Sequence, residues 1–182
     1  DCQINPYYSF KDNFLCSASV FETARLCNIE KIIHFETDKV YGNQPKDSIP
    51  TNEEHELRAL SPYETSKAFG ANLAKFYREF YDMDIISLRP ANTFGPFDTN
   101  QTRIIPKTMI NLINKKPPIL HTGADKIYRE FLFVNDLCRC VETIINNKTN
   151  YNVYNIASGE YYKIPDLIDK ILKLLNMQIK VE

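Results

Sequence analysis

The stretch Lys31-Ile-Ile-His-Phe-Glu-Thr-Asp-Lys-Val-Tyr-Gly42 decides how this chain folds. Ile32, Ile33 and Phe35 lie in a short apolar run that reads as a buried strand, and polar residues appear where the run ends. In open α/β sheets ligands sit beyond the carboxyl ends of strands, which is where Thr37, Asp38 and Lys39 fall. Further along, a Pro- and charge-rich loop from Asn43 to Leu60 leads into Ser61-Pro-Tyr-Glu-Thr-Ser-Lys67. Ser61 suits an N-cap, Pro62 the first helical position, and Glu64 completes a capping box. Apolar residues then continue at helical spacing, from Ala68 through Ala71 and Ala74 to about Tyr81. Tyr63 and Lys67, four residues apart, stand on one face of that helix. A phenol beside an ammonium has its charged form favoured, so the Tyr63 pKa is expected to fall towards neutrality. A phenolate can accept a proton from a sugar or alcohol hydroxyl near pH 7. A bare Tyr-x-x-x-Lys equally describes an ordinary surface pair on an amphipathic helix, so the spacing alone does not decide.

Composition bounds the answer. A chain of 182 residues can bury the core of one ordinary domain. With 43% hydrophobic and 25% charged residues it has the profile of a globular protein. A formal net charge of −1 supplies no basic field for nucleic acid or an anionic membrane, so any bound phosphate must be met by locally placed groups. No apolar run reaches the length of about 18 residues that spans a bilayer. The five cysteines (Cys2, Cys16, Cys27, Cys138 and Cys140) read as buried free thiols of a reducing, cytoplasmic compartment. A redox or metal site is the alternative, but Cys138 and Cys140 are too close for zinc-ligand spacing, and His34, His55 and His121 lie far apart.

The remaining elements alternate helix and strand, the rhythm of a parallel sheet. A helix is expected from Pro6 to about Leu26, burying Phe10, Phe14, Leu15, Val20, Phe21 and Ala24. Met83 to Leu88 reads as a strand, with Pro90 ending its ladder. A helix follows from Arg103 to Asn114, then strands at Ile119-Leu120 and Glu130 to Val134. Asn135-Asp136 caps a helix to about Ile145. Asn152 to Ile156 is a last strand, and Ile164 to about Leu175 an amphipathic helix.

Thr37-Asp-Lys-Val-Tyr-Gly42 followed by Ser61-Pro-Tyr-x-x-x-Lys67 resembles the extended short-chain dehydrogenase/reductase superfamily, in its nucleotide-sugar epimerase and dehydratase branch. The resemblance continues through Arg89-Pro-Ala-Asn-Thr-Phe-Gly-Pro96, Arg103-Ile-Ile-Pro106, Arg129-Glu-Phe-Leu-Phe-Val-Asn-Asp136 and Tyr154-Asn-Ile-Ala-Ser-Gly-Glu160. Asn13-Phe-Leu-Cys16 is similar to the family's Asn-x-x-Gly segment, with Cys16 where glycine is usual. The implied fold is α/β: the later half of a doubly wound, parallel, Rossmann-type sheet plus part of a small substrate-binding lobe. Residues 1–92 would form the C-terminal half of the dinucleotide-binding domain, and 93–182 a mixed segment of the substrate lobe and remaining sheet. The glycine-rich dinucleotide turn that family members carry at their start does not occur among the five glycines. The chain is therefore expected to be a fragment with an open sheet edge and a bare apolar face.

The resemblance implies a bound NAD, with NADP left open, and a nucleotide-diphosphate sugar as substrate. Tyr63 would take the proton from the sugar 4-hydroxyl, Lys67 would hold the nicotinamide ribose, and Thr37 would hydrogen-bond the same sugar oxygen. Asp38 and Lys39 point to a 4,6-dehydratase, in which a base removes the C5 proton and an acid protonates the departing 6-hydroxyl. A lysine base needs a depressed pKa. A solvated surface pair is the other reading of these two residues. Asn92, Arg103 and Arg129 are the matched substrate-binding candidates, with a structural salt bridge the rival role for Arg129. The alternatives are a 4-epimerase of the same family or a non-catalytic nucleotide-sugar-binding fragment. No nucleic-acid or membrane partner is implied, and a homodimer is expected of the full-length protein.

Overall fold

The structure, a computed structural model, describes residues 3–42, 50–179 and 181. Cys2 and part of the loop expected from Asn43 to Leu60 lie outside the described residues. The chain divides into two compact units, one of residues 1–91 and 140–156, the other of residues 92–139 and 157–182.

The first unit is a three-layer α/β sandwich. Helix α1 (Pro6–Leu26) leads to β1 (Ile32–Phe35), then α2 (Pro62–Tyr81) and β2 (Ile85–Pro90). Strand β5 (Val153–Ile156) completes a parallel sheet of order β1-β2-β5. Register pairs Ile32 with Ile85 and Ile33 with Ile86, so the pleat sends alternate residues to opposite faces. On one face Ile32 and Ile85 pack with Phe21 of α1 and with Ala74 and Tyr77 of α2. On the other, Ile33, Ile86 and Leu88 pack with Val141 and Ile144 from the later part of α4 (Val134–Asn146). A strand buried on both faces carries no polar alternation, which is why β2 reads as an apolar run. Pro90 ends β2 but still stands in register with Ile156, as a last ladder residue can.

The second unit carries β3 (Asn92–Phe94), β4 (Tyr128–Phe133) and β6 (Tyr161–Lys163). β3 runs parallel to β4, and β6 antiparallel to it. Its core joins Leu112 of α3 (Ile104–Ile113) to Ile168 and Leu172 of α5 (Ile164–Leu174).

Three expectations are corrected. Ile119-Leu120 is not a strand: Pro117 and Pro118 offer no amide to a ladder, and Leu120 instead packs into the α3–α5 core. On α1 only Phe21 and Ala24 are buried, while Phe14, Leu15 and Val20 are 41%, 50% and 53% exposed. The apolar residues of α1 are spread around its circumference, and the sheet covers only one side. Cys16, Cys27, Cys138 and Cys140 are free thiols, but the first three are exposed rather than buried.

Candidate active site

The chain leaves β1 at Phe35 and enters a 3₁₀ turn at Asp38–Tyr41. Thr37 caps this turn: its Oγ1 accepts the Lys39 amide at 3.3 Å, and its hydroxyl donates to Asp38 Oδ1 at 3.2 Å. Lys39 Nζ donates to both carboxylate oxygens of Asp38, at 2.9 and 2.8 Å. Thr37 is buried, whereas the side chains of Asp38 and Lys39 are about a third exposed, at 35% and 32%. Gly42 closes the turn with φ +69°, and a Cβ there would lie 2.4 Å from the Arg58 carbonyl oxygen. Conformation and space both require glycine.

Helix α2 starts where its sequence dictates. Ser61 Oγ accepts the Glu64 amide at 3.2 Å, and Glu64 Oε2 accepts the amides of Ser61 and Leu60 at 3.0 Å each. Burial works against the ionised Glu64 carboxyl, but those two amides outweigh it and lower its pKa. The cap places Tyr63 in the first turn of the helix, 41% exposed, and Lys67 one turn on. Lys67 Nζ donates to the Phe35 carbonyl at 3.0 Å, joining α2 to the end of β1. Burial lowers the Lys67 pKa, while the charges of Glu36 and Cys16 act to raise it. Asn13 of α1 donates through Nδ2 to Ser66 Oγ at 3.0 Å, and that hydroxyl donates to the Tyr63 carbonyl at 2.7 Å.

The structure thus gathers Thr37, Asp38 and Lys39 in one turn and ties Lys67 to the strand that feeds it. Asn92, Arg103 and Arg129 belong to the second unit. Asn92 Nδ2 donates to the Glu130 carbonyl at 2.9 Å, holding β3 against β4. Arg103, the residue before α3, pairs with Asp98 at 3.2 Å, and Arg129 is exposed on β4 and donates to the Tyr128 carbonyl at 2.9 Å.

Sequence reasoning missed the group beneath the turn. Glu36 and Arg89 form a buried ion pair, Nε to Oε2 at 2.6 Å, with side chains 1% and 7% exposed. The other carboxylate oxygen, Oε1, has no hydrogen-bond partner among the described residues and lies 3.5 Å from His34 Nδ1. A signal was present: Ile32-Ile-His-Phe-Glu36 and Ile85-Ile-Ser-Leu-Arg89 each end an apolar run with a charge at the same offset.

A parallel sheet, a polar turn at a strand's carboxyl end and a neighbouring Tyr-x-x-x-Lys helix define the short-chain dehydrogenase/reductase class. Within it, the chain belongs to the NAD dependent epimerase/dehydratase family, whose model matches residues 1–157. It is 30% identical over 178 residues to dTDP-D-glucose 4,6-dehydratase of Dictyostelium discoideum, covering 93% of this chain and 40% of that one. Among solved structures, it resembles a UDP-N-acetylglucosamine 4-epimerase from Methanobrevibacter ruminantium M1 in complex with UDP-N-acetylmuramic acid. That likeness has a TM-score of 0.88 at 28% identity, over 99% of this chain and 58% of the epimerase. The dTDP-glucose 4,6-dehydratase of Bacillus anthracis str. Ames, solved in complex with NAD, gives a TM-score of 0.85 at 25% identity, over 93% of this chain and 54% of that one. The chain spans between 26% and 53% of the length of the first eight curated relatives it matches. No helix among the described residues is long and apolar enough to cross a membrane.

Proposed function

We propose that the protein carrying this chain is a cytoplasmic nucleotide-sugar 4,6-dehydratase using NAD. One observation carries this reading: Asp38 and Lys39, an acid and a base, sit with Thr37 in one turn at the carboxyl end of β1. A half-buried ammonium that donates to the Phe35 carbonyl at that end of the sheet fits the ribose of a nicotinamide cofactor, so Lys67 is assigned to it. When bound, the nicotinamide supplies the hydride acceptor for sugar C4.

The chain's own residues do the rest. Tyr63 takes the proton of the 4-hydroxyl, and Thr37 donates a hydrogen bond to that oxygen as charge develops on it. Oxidation at C4 acidifies the C5 proton. Lys39 removes it, and Asp38 protonates the 6-oxygen as it leaves as water. In the structure the Lys39 ammonium donates to the Asp38 carboxylate, so these roles require the shared proton to pass to Asp38 first, leaving a neutral amine to take the C5 proton and a carboxylic acid to protonate the 6-oxygen. Within this reading residues 1–92 supply the later half of the dinucleotide-binding domain. Residues 93–182 form the mixed segment; its Arg103 and Arg129, together with Asn92 at the end of the preceding segment, bind the nucleotide diphosphate. The exposed aromatic face of α2 supports a homodimer of the full-length protein.

The test is Lys39→Ala in the full-length protein, with UDP- and dTDP-glucose as substrates. Oxidation at C4 should persist while C5 deuterium exchange and elimination fall by about 10²–10⁴-fold, the usual cost of a lost general base. A wild-type protein that converts its sugar with no C5 exchange is not a dehydratase. The Asp38–Lys39 ion pair favours a second reading, a 4-epimerase in which Thr37, Tyr63 and Lys67 suffice and the pair only shapes the turn.

A further inference from the structure

One guanidinium holds both ends of the turn that carries Thr37, Asp38 and Lys39. Arg89 donates from Nε to Glu36, the residue before Thr37, and from Nη1 to the hydroxyl of Tyr41, the last residue of the turn, at 2.7 Å. The guanidinium also lies over the Tyr41 ring, 5.0 Å from its centre. The Tyr41 hydroxyl passes the contact on, donating to Asn155 Oδ1 of β5 at 2.8 Å. Asn155 is itself fixed, its Nδ2 donating to the Thr51 carbonyl at 3.0 Å and its amide to Glu53 Oε1 at 2.7 Å. Arg89 Nη1 reaches the Glu53 carbonyl at 3.3 Å as well. The turn is therefore pinned inside at residues 36 and 41, while Asp38 and Lys39 face outward between the pins.

A buried ion pair adds little net stability over an apolar pair of the same shape, so stability alone is a weak reason for charges here. Geometry is a better one. A planar guanidinium offers fixed, divergent donors, which an ammonium cannot. We propose that Arg89, acting through Glu36 and Tyr41, is a positioning residue that sets the orientation of the Thr37 hydroxyl and of the Asp38–Lys39 pair. The kinetic consequence rests on the dehydratase or epimerase reading, and the structural consequence does not.

The test is Tyr41→Phe in the purified full-length protein, which keeps the ring and removes the shared hydroxyl. Asn155→Ala removes the far partner of that hydroxyl from another strand. The amides of Lys39, Val40 and Gly42, bonded within the turn to Thr37 and Lys39, report its order. Their hydrogen exchange should speed up by about 10-fold to 100-fold, the scale of a lost hydrogen bond to a charged group, while amides of α2 and β2 keep their rates. With nucleotide sugar, kcat should fall by a similar factor and KM stay within about twofold, as befits a lost transition-state geometry. Unchanged exchange in both variants, or loosening spread evenly through α2 and β2, overturns the proposal, as does a loosened turn with unchanged kcat. Should the wild-type protein turn over no nucleotide sugar, the reading of its reaction fails and the exchange pattern still decides the clamp.

Discussion

Glu36 is the residue with the most at stake in its protonation. Burial penalises its charge, yet His34, Arg89 and Ser87 together outweigh that cost and hold the carboxyl at about 2, below its ordinary 4.5. The folded value lies below the unfolded one, so the stabilisation is fully present above about pH 4.5 and is lost as pH falls towards 2. A shift of that size corresponds to ~3 kcal/mol at neutral pH. Urea denaturation from pH 7 to pH 2 should show wild type losing about that much more stability than Glu36→Gln, whose amide does not titrate. Parallel curves for the two proteins would show that the carboxyl gains nothing from its partners. The candidates Tyr63, Lys67, Thr37, Asp38 and Lys39 are legible in the sequence because each motif is local. The Glu36–Arg89 pair is 53 residues apart and closes only in the β1–β2 register, so its two halves read separately as ordinary strand-end charges.

Elements defined by their own ends were legible, and those defined by partners were not. The start of α2 follows from Ser61, Pro62 and Glu64, and the capping box forms as that spacing requires. Ser61→Ala should cost about 1 kcal/mol in thermal or urea unfolding, the usual worth of a side-chain N-cap. On the proposed reading it should also lower kcat, because Tyr63, the proposed proton acceptor, stands in the turn the cap secures, and a variant with full stability and full activity would deny the cap both roles. Strands β3 and β6 span three residues each, too short to show a period of two, and exist only because β4 lies between them. The buried face of α1 is legible only in part, with Phe21 and Ala24 buried as expected, for a related reason. Phe14, Leu15 and Val20 are as apolar as Phe21, and only the position of the sheet decides which of them is covered.

At the scale of the whole molecule, the homodimer proposed for the full-length protein would use the uncovered apolar surface. Phe69, Phe76 and Phe80 lie at spacings of seven and four along α2, so they share one face, and they are 46%, 45% and 71% exposed. Phe76 and Phe80 stack with ring centres 5.4 Å apart, and Phe69 makes T-shaped contacts with Phe10 and Phe14 from α1. Aromatic side chains bury large apolar areas at contacts, and the exposed parts of these three rings form one stripe, so it can serve as the centre of an interface rather than a scatter of surface residues. A helix face repeated in two copies about a two-fold axis meets itself, which makes a second copy of the chain the simplest occupant. Phe76→Glu with Phe80→Glu places two carboxylates where that contact would be dry. Both side chains are largely outside the core, so the fold should survive, as circular dichroism would report. Sedimentation velocity of the full-length protein should then show the variant dimer dissociating at concentrations at least about 100-fold higher than those at which the wild-type dimer dissociates, since buried aromatic anchors are worth about 2 kcal/mol or more apiece. A wild-type protein that sediments as a monomer would overturn the proposed homodimer.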